Sequence, residues 1–123
     1  MNTTELLTEI YSNPALLFEK LHPDFAVHAP GNSPVAGVFR GAEGMQKHME
    51  QMSSLSNNTF SLTMTGTILA DDCYGLVVTK VTAEREGKKL NTTAFGLWGF
   101  KDGLITDHWE SVADQAHWDD FWS

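Results

Sequence analysis

The sequence predicts an α+β fold in which a curved antiparallel β-sheet folds over helices. Three observations carry this. Apolar residues recur at helical spacing near the start and again from Gly41. From Phe60 onward they alternate with polar ones, the period of a half-covered strand. The later apolar runs are joined by short glycine-containing loops, so consecutive antiparallel pairing is the simplest arrangement.

Leu6, Leu7, Ile10 and Tyr11 follow Thr3-Thr4-Glu5, a capping sequence, and define a first amphipathic helix. Asn13-Pro14 restarts a second, with Leu17, Phe18 and Leu21 on its apolar side. DFAVHAP, residues 24–30, reads as a short strand punctuated by His22-Pro23 and Pro30-Gly31, and Val38-Phe39 as a brief second one. From Gly41, Met45, His48, Met49 and Met52 share a helix face as far as the polar run beginning at Ser53. Phe60, Leu62, Met64 and Ile68 then alternate with Ser and Thr. Strands at 74–86, 89–101 and 104–112 follow, joined through Glu86-Gly87-Lys88 and Lys101-Asp102-Gly103. Asp114 is the expected N-cap of a short terminal segment containing Trp118, Phe121 and Trp122.

A chain of 123 residues fits one domain, 1–123, with enough apolar material for its own core. Sixteen acidic side chains against eight basic ones give a formal charge of −8, and no basic cluster interrupts it, which argues against nucleic acid as a partner. Cys73 is alone, so no internal disulfide or CxxC site exists. The N-terminus is acidic and helical in pattern, and no apolar run approaches the ~20 residues of a membrane span. A cytoplasmic protein without membrane contact is the expectation, with the sequons at Asn2, Asn57 and Asn91 chance matches.

The stretch His28–Gly44, HAPGNSPVAGVFRGAEG, resembles a phosphate loop only in composition. Its glycines fit neither Gly-x-Gly-x-x-Gly nor Gly-x4-Gly-Lys, so Pro and Gly here shape a bend, and Arg40 reads as a surface or interface charge. The five histidines make no HExxH or comparable pair, so no metal site is expected, and no GxSxG marks a nucleophile. In TDHWE, Thr106, His108 and Glu110 alternate against Asp107 and Trp109. If the covered face holds Ile105, Asp107 and Trp109, Asp107 is a desolvated carboxylate suited to act as a base; otherwise it is a hydrated carboxylate at the rim.

The segments PDFAVHAPGNSPVAGVFRGAEGM, GLWGFKDGLITDHWESVADQ and HWDDFW, at these separations, resemble the SnoaL-like and ketosteroid isomerase-like proteins of the NTF2-like superfamily, from about Leu17 to Trp122. The resemblance implies an NTF2-like cone, a curved antiparallel sheet wrapped around three helices, with a deep apolar pocket and often a homodimer through the sheet. The ketosteroid isomerase base falls on Ala29 or His28, neither a carboxylate, and the first helix offers only apolar or acidic residues where those enzymes carry a tyrosine. Gly96 stands near the position of their second oxyanion donor. Limonene epoxide hydrolase-like members use Asp-Arg-Asp, whereas Arg85 sits between Glu84 and Glu86. Polyketide cyclases of the SnoaL type use a late-strand acid, for which Asp107 is the candidate here.

The resulting expectation is a SnoaL-like protein that binds a small apolar or aromatic molecule. His28 and Asp107 are the candidate acid/base pair of a cofactor-independent isomerase or cyclase. Phe18, Met45, Trp98, Phe100 and Trp109 are candidate pocket walls, although aromatic stripes of this kind are more often simply core. The alternative is a non-catalytic ligand-binding or dimerisation module of the same fold.

Overall fold

The computed structural model describes residues 2–123. Helix α1 (Thr3–Ser12) is capped by Asn2, whose Oδ1 accepts from Glu5 N, and α2 (Pro14–Glu19) starts on Pro14, where a missing N–H is harmless. Strands β1 (Leu21–Ala29) and β2 (Gly37–Arg40) flank the glycine-rich bend, followed by α3 (Gly41–Leu55). Strands β3 (Ser61–Ala70), β4 (Tyr74–Arg85), β5 (Lys88–Lys101) and β6 (Leu104–Val112) form an antiparallel meander. Two-residue loops close it at Glu86-Gly87 and Asp102-Gly103, with φ positive at both residues of each, the conformation that matches strand twist. Helix α4 (Gln115–Trp122) begins where Asp114 Oδ1 accepts from His117 N.

The six strands lie in the order β2-β1-β6-β5-β4-β3, a curved sheet that does not close. The expected α+β architecture is therefore present, with α4 as a fourth helix. One pairing differs from a purely antiparallel sheet: β1 runs parallel to β6, with Val27 opposite His108 and His28 opposite Trp109. Among the described residues no helix is long and apolar enough to cross a membrane.

Two apolar clusters occupy the inner face. One joins Leu7, Ile10, Leu17, Phe25, Val77 and Trp98 under α1 and α2; the other joins Val35, Val81, Leu90, Trp118, Phe121 and Trp122 under α4. Helix α3 spans both, contributing Met45 to the first and Met52 to the second. Arg85 fastens the second cluster: its Nε donates to Leu55 O at 3.1 Å and its Nη1 to Phe121 O at 3.1 Å and Ser123 O at 2.8 Å. It thus satisfies carbonyls at the ends of α3 and α4, neither of which has a basic residue in its own last turn.

The bend between β1 and β2 packs against α4. Gly31 has φ +107°, a backbone conformation that favours glycine, and a side chain there would also displace the Asp119 and Gln115 side chains. Val35 is buried beneath the bend, and Gln51 Nε2 donates to Pro34 O at 2.8 Å. The run is a folded rim whose Ala29 and Pro30 line a cavity.

Candidate functional site

The two clusters do not meet on the sheet. Along β4 the sequence passes from Val77 to Thr79 to Val81, along β5 from Trp98 through Gly96 to Ala94, and along β6 from His108 through Glu110 to Val112. His108, Glu110 and Thr79, at successive register steps across the sheet, form a slanting polar belt between the two apolar clusters. Over this belt lie two adjoining cavities, of about 310 Å³ towards α1–α3 and about 70 Å³ towards α4. Both are lined by Tyr11, Met52, Phe60, Leu62, His108 and Glu110, so the belt is the centre of a two-lobed chamber.

Gly96 makes that centre possible. It pairs across the strands with Glu110, and a Cβ on it would stand 2.7 Å from Tyr11 Oη and 3.0 Å from His108 Cε1. Tyr11 reaches over the glycine from α1, accepting from Trp98 Nε1 at 3.1 Å with the rings edge to face. Burial, together with the charge of Glu110 and against the hydrogen bond from Trp98, pushes the phenol up to about 12. Its O–H therefore stays protonated as a donor.

His108 stacks on Trp98 with ring centroids 3.6 Å apart, and its Nδ1 lies 3.2 Å from Leu97 O. A carbonyl only accepts, so Nδ1 carries the proton. Burial pushes His108 down to about 4, outweighing the opposing pull of Glu110 and Leu97, so the ring is neutral at pH 7 and Nε2 is a lone pair. Glu110 Oε1 lies 2.8 Å from His48 Nε2 of the wholly buried His48. Burial alone would raise the Glu110 carboxyl, but the His48 hydrogen bond, with both imidazoles alongside, outweighs it and holds the group below the ordinary carboxylate range. Glu110 is thus an acceptor, and His48 Nε2–H donates to it. The His48 ring stacks on Phe39, and its Nδ1 has no protein partner.

His28 and Asp107 are also brought together, Nε2 to Oδ1 at 2.9 Å, with the Trp109 ring stacked on His28 at 5.4 Å. They do not line the chamber. All three lie on the outer face of the sheet, Asp107 and His28 about one-third exposed. The cause is a bulge: Phe100 pairs with Ile105 but Gly99 with Asp107, leaving Thr106 extra. The bulge reverses the alternation, so Ile105 and His108 both point inward while Asp107 and Trp109 point outward. The inward carboxylate of β6 is Glu110. Of the five aromatic and methionine candidates, Met45 and Trp98 line the larger lobe, Phe18 and Phe100 are packed against the first cluster, and Trp109 lies outside.

The first helix does carry a tyrosine facing the site, although its spacing reads as one more apolar position beside Ile10. His48 is likewise hidden in a methionine stripe. The signal for both is the same: a polar side chain on an apolar helix face, once buried, requires a partner. Among the described residues no three His, Cys, Asp or Glu side chains are arranged to hold a metal ion.

Comparison with known proteins agrees with this architecture. The chain is 29% identical over 101 residues to an uncharacterised protein of Mycobacterium tuberculosis, covering 82% of this chain and 77% of that one. It superposes on Bal32a, from a soil-derived mobile gene cassette, with a TM-score of 0.89 at 27% identity, covering 98% of this chain and 95% of the other. An NTF2-like protein of Burkholderia xenovorans shares the fold at 14% identity, with a TM-score of 0.79 over 98% of this chain and 95% of that one. The family model of the SnoaL-like domain matches residues 12–108. The chain belongs to the SnoaL-like family, and its fold is NTF2-like.

Proposed function

We propose that this chain binds a small, largely apolar carbonyl compound in the two-lobed chamber and moves a proton at the carbon beside the carbonyl. One observation carries the reading: a protonated tyrosine held over Gly96 and a carboxylate on the cross-strand partner of Gly96, fixed by a buried histidine, line one chamber whose walls are largely apolar. Glu110 takes the α-proton, the C–H electron pair moves into the new carbon–carbon double bond, and the carbonyl π pair becomes the enolate oxygen. Tyr11 O–H donates to that oxygen, a stabilisation that grows as charge develops. Return of the proton from Glu110 to the same or a vinylogous carbon completes an exchange or an isomerisation. The low carboxyl pKa keeps Glu110 charged at neutral pH but makes it a mild base, so the reading favours an activated C–H. The test is deuterium uptake from D2O into 2-tetralone, followed by NMR. Wild type should outpace Glu110→Gln by ~100-fold or more. Equal rates for wild type and the variant would remove the proposal.

A second reading concerns the outer face. Val38, Leu69 and Tyr74 are each more than half exposed there, beside the half-buried His28, Asp107 and Trp109. Such a face, which no helix covers among the described residues, fits a homodimer formed through the sheet, with the His28–Asp107 pair as a polar contact within it.

A further inference from the structure

The hydrogen-bond capacity of the chamber centre is asymmetric. His108 Nε2 and Glu110 Oε2 stand 3.8 Å apart, too far for a proton to join them. Each is an acceptor: the His108 proton is committed to Leu97 O on the other nitrogen, and Glu110 has already received the His48 donor on Oε1. Tyr11 is the reverse case. Its oxygen is occupied by Trp98 Nε1–H, which leaves its own hydrogen to give. The centre therefore offers two adjacent lone pairs and one donor to the same chamber, with Tyr11 and His108 reaching over a residue without a side chain.

We infer that this centre recognises a primary carboxamide and rejects the corresponding carboxylate. The NH2 group places one hydrogen on Glu110 Oε2 and one on His108 Nε2, and the carbonyl oxygen accepts from Tyr11 O–H. Such a group is isosteric with the methyl or methylene ketone of the function proposed above, and the inference rests on that reading insofar as both ligands occupy the same chamber. A carboxylate supplies no hydrogen to the two lone pairs and adds a second negative charge beside Glu110. Neither lobe is lined by Lys or Arg among the described residues, so nothing offsets that charge. An N,N-dialkyl amide keeps the oxygen but loses both hydrogens, leaving the acceptors desolvated and unpaired.

Calorimetric titration of the intact protein with 2-naphthamide, 2-naphthoate and N,N-dimethyl-2-naphthamide tests this. The primary amide should bind about tenfold or more tightly than either analogue. Glu110→Gln, whose side-chain NH2 presents hydrogens where the carboxylate presented a lone pair, should bring the amide-to-naphthoate ratio close to one. Naphthoate binding as tightly as the amide, dimethyl amide binding as tightly, or no binding of the primary amide would each overturn the inference on wild type alone, whether or not the variant folds. Failure of the amide series with 2-tetralone exchange intact would sink only the ligand class. Loss of both would sink the chamber as the site.

Discussion

Acidification from pH 7 to pH 4 should destabilise this protein through His108. In the unfolded chain its imidazole gains a proton around its ordinary value of 6.5, whereas in the folded protein burial against Trp98 delays protonation to about 4. Between those values the unfolded state holds the extra proton, so stability falls as pH falls; above 6.5 both states are neutral and nothing is lost. The gap, at about 1.4 kcal/mol for each pH unit, amounts to roughly 3 kcal/mol. With the His108 side chain only 8% exposed, solvent screening removes little of it. Glu110 adds loss in the same direction, but only as pH falls through its lowered folded value, below most of this window. Urea unfolding followed by tryptophan fluorescence at several pH values, on wild type and His108→Gln, isolates the contribution. Wild type should lose roughly 3 kcal/mol more than the variant between pH 7 and pH 4. Parallel curves for the two proteins would show that the ring is not held neutral by burial, and the acceptor assigned to Nε2 would go with it.

Gly96→Ala should cost about 1–3 kcal/mol in urea unfolding, because its methyl group meets Tyr11 Oη and His108 Cε1 at the distances given above. It should also abolish 2-tetralone exchange by displacing the tyrosine, and an active alanine variant would contradict the placement of Tyr11 over Gly96. Leu69→Glu with Tyr74→Glu places charge on the exposed outer face and should convert a dimer to a monomer in analytical ultracentrifugation. A wild-type monomer at micromolar concentration would count against the dimer reading.

Local chemistry made much of the fold legible. Pro14 at a helix start, Asp114 as an N-cap and the glycines of Glu86-Gly87 and Asp102-Gly103 act through local preferences that travel with the residue, and each lies where that preference directs. The interior face of β6 was not legible, because one unpaired residue, Thr106, exchanges inside for outside while leaving the alternation Asp107, His108, Trp109, Glu110 unaltered. Ile105 is buried as its hydrophobicity demands, and extending its parity past the bulge selects Asp107 in place of Glu110. Tyr11 was obscured for a different reason: a phenol at helical spacing is indistinguishable from another core residue until Gly96 and Trp98 are known to lie beneath it. Parallel pairing of β1 with β6 depends on contacts distant in sequence, for which spacing carries no signal.

That parallel pairing also governs the order in which the molecule can assemble. Strands β3 to β6 are joined by nearest-neighbour hairpins and can zip together through short loop closures. By contrast, the inner partner of β1 is the distant β6: His28 and Asp107, in contact across that seam, are 79 positions apart in the chain. On a ribosome, the strand made first therefore cannot complete its pairing until β6 has been made. Until β6 is available, Phe25 and Val27, both fully buried in the native core, lack their neighbouring strand. During that interval these apolar side chains of β1 stay open to chaperones and to mispairing with other nascent copies.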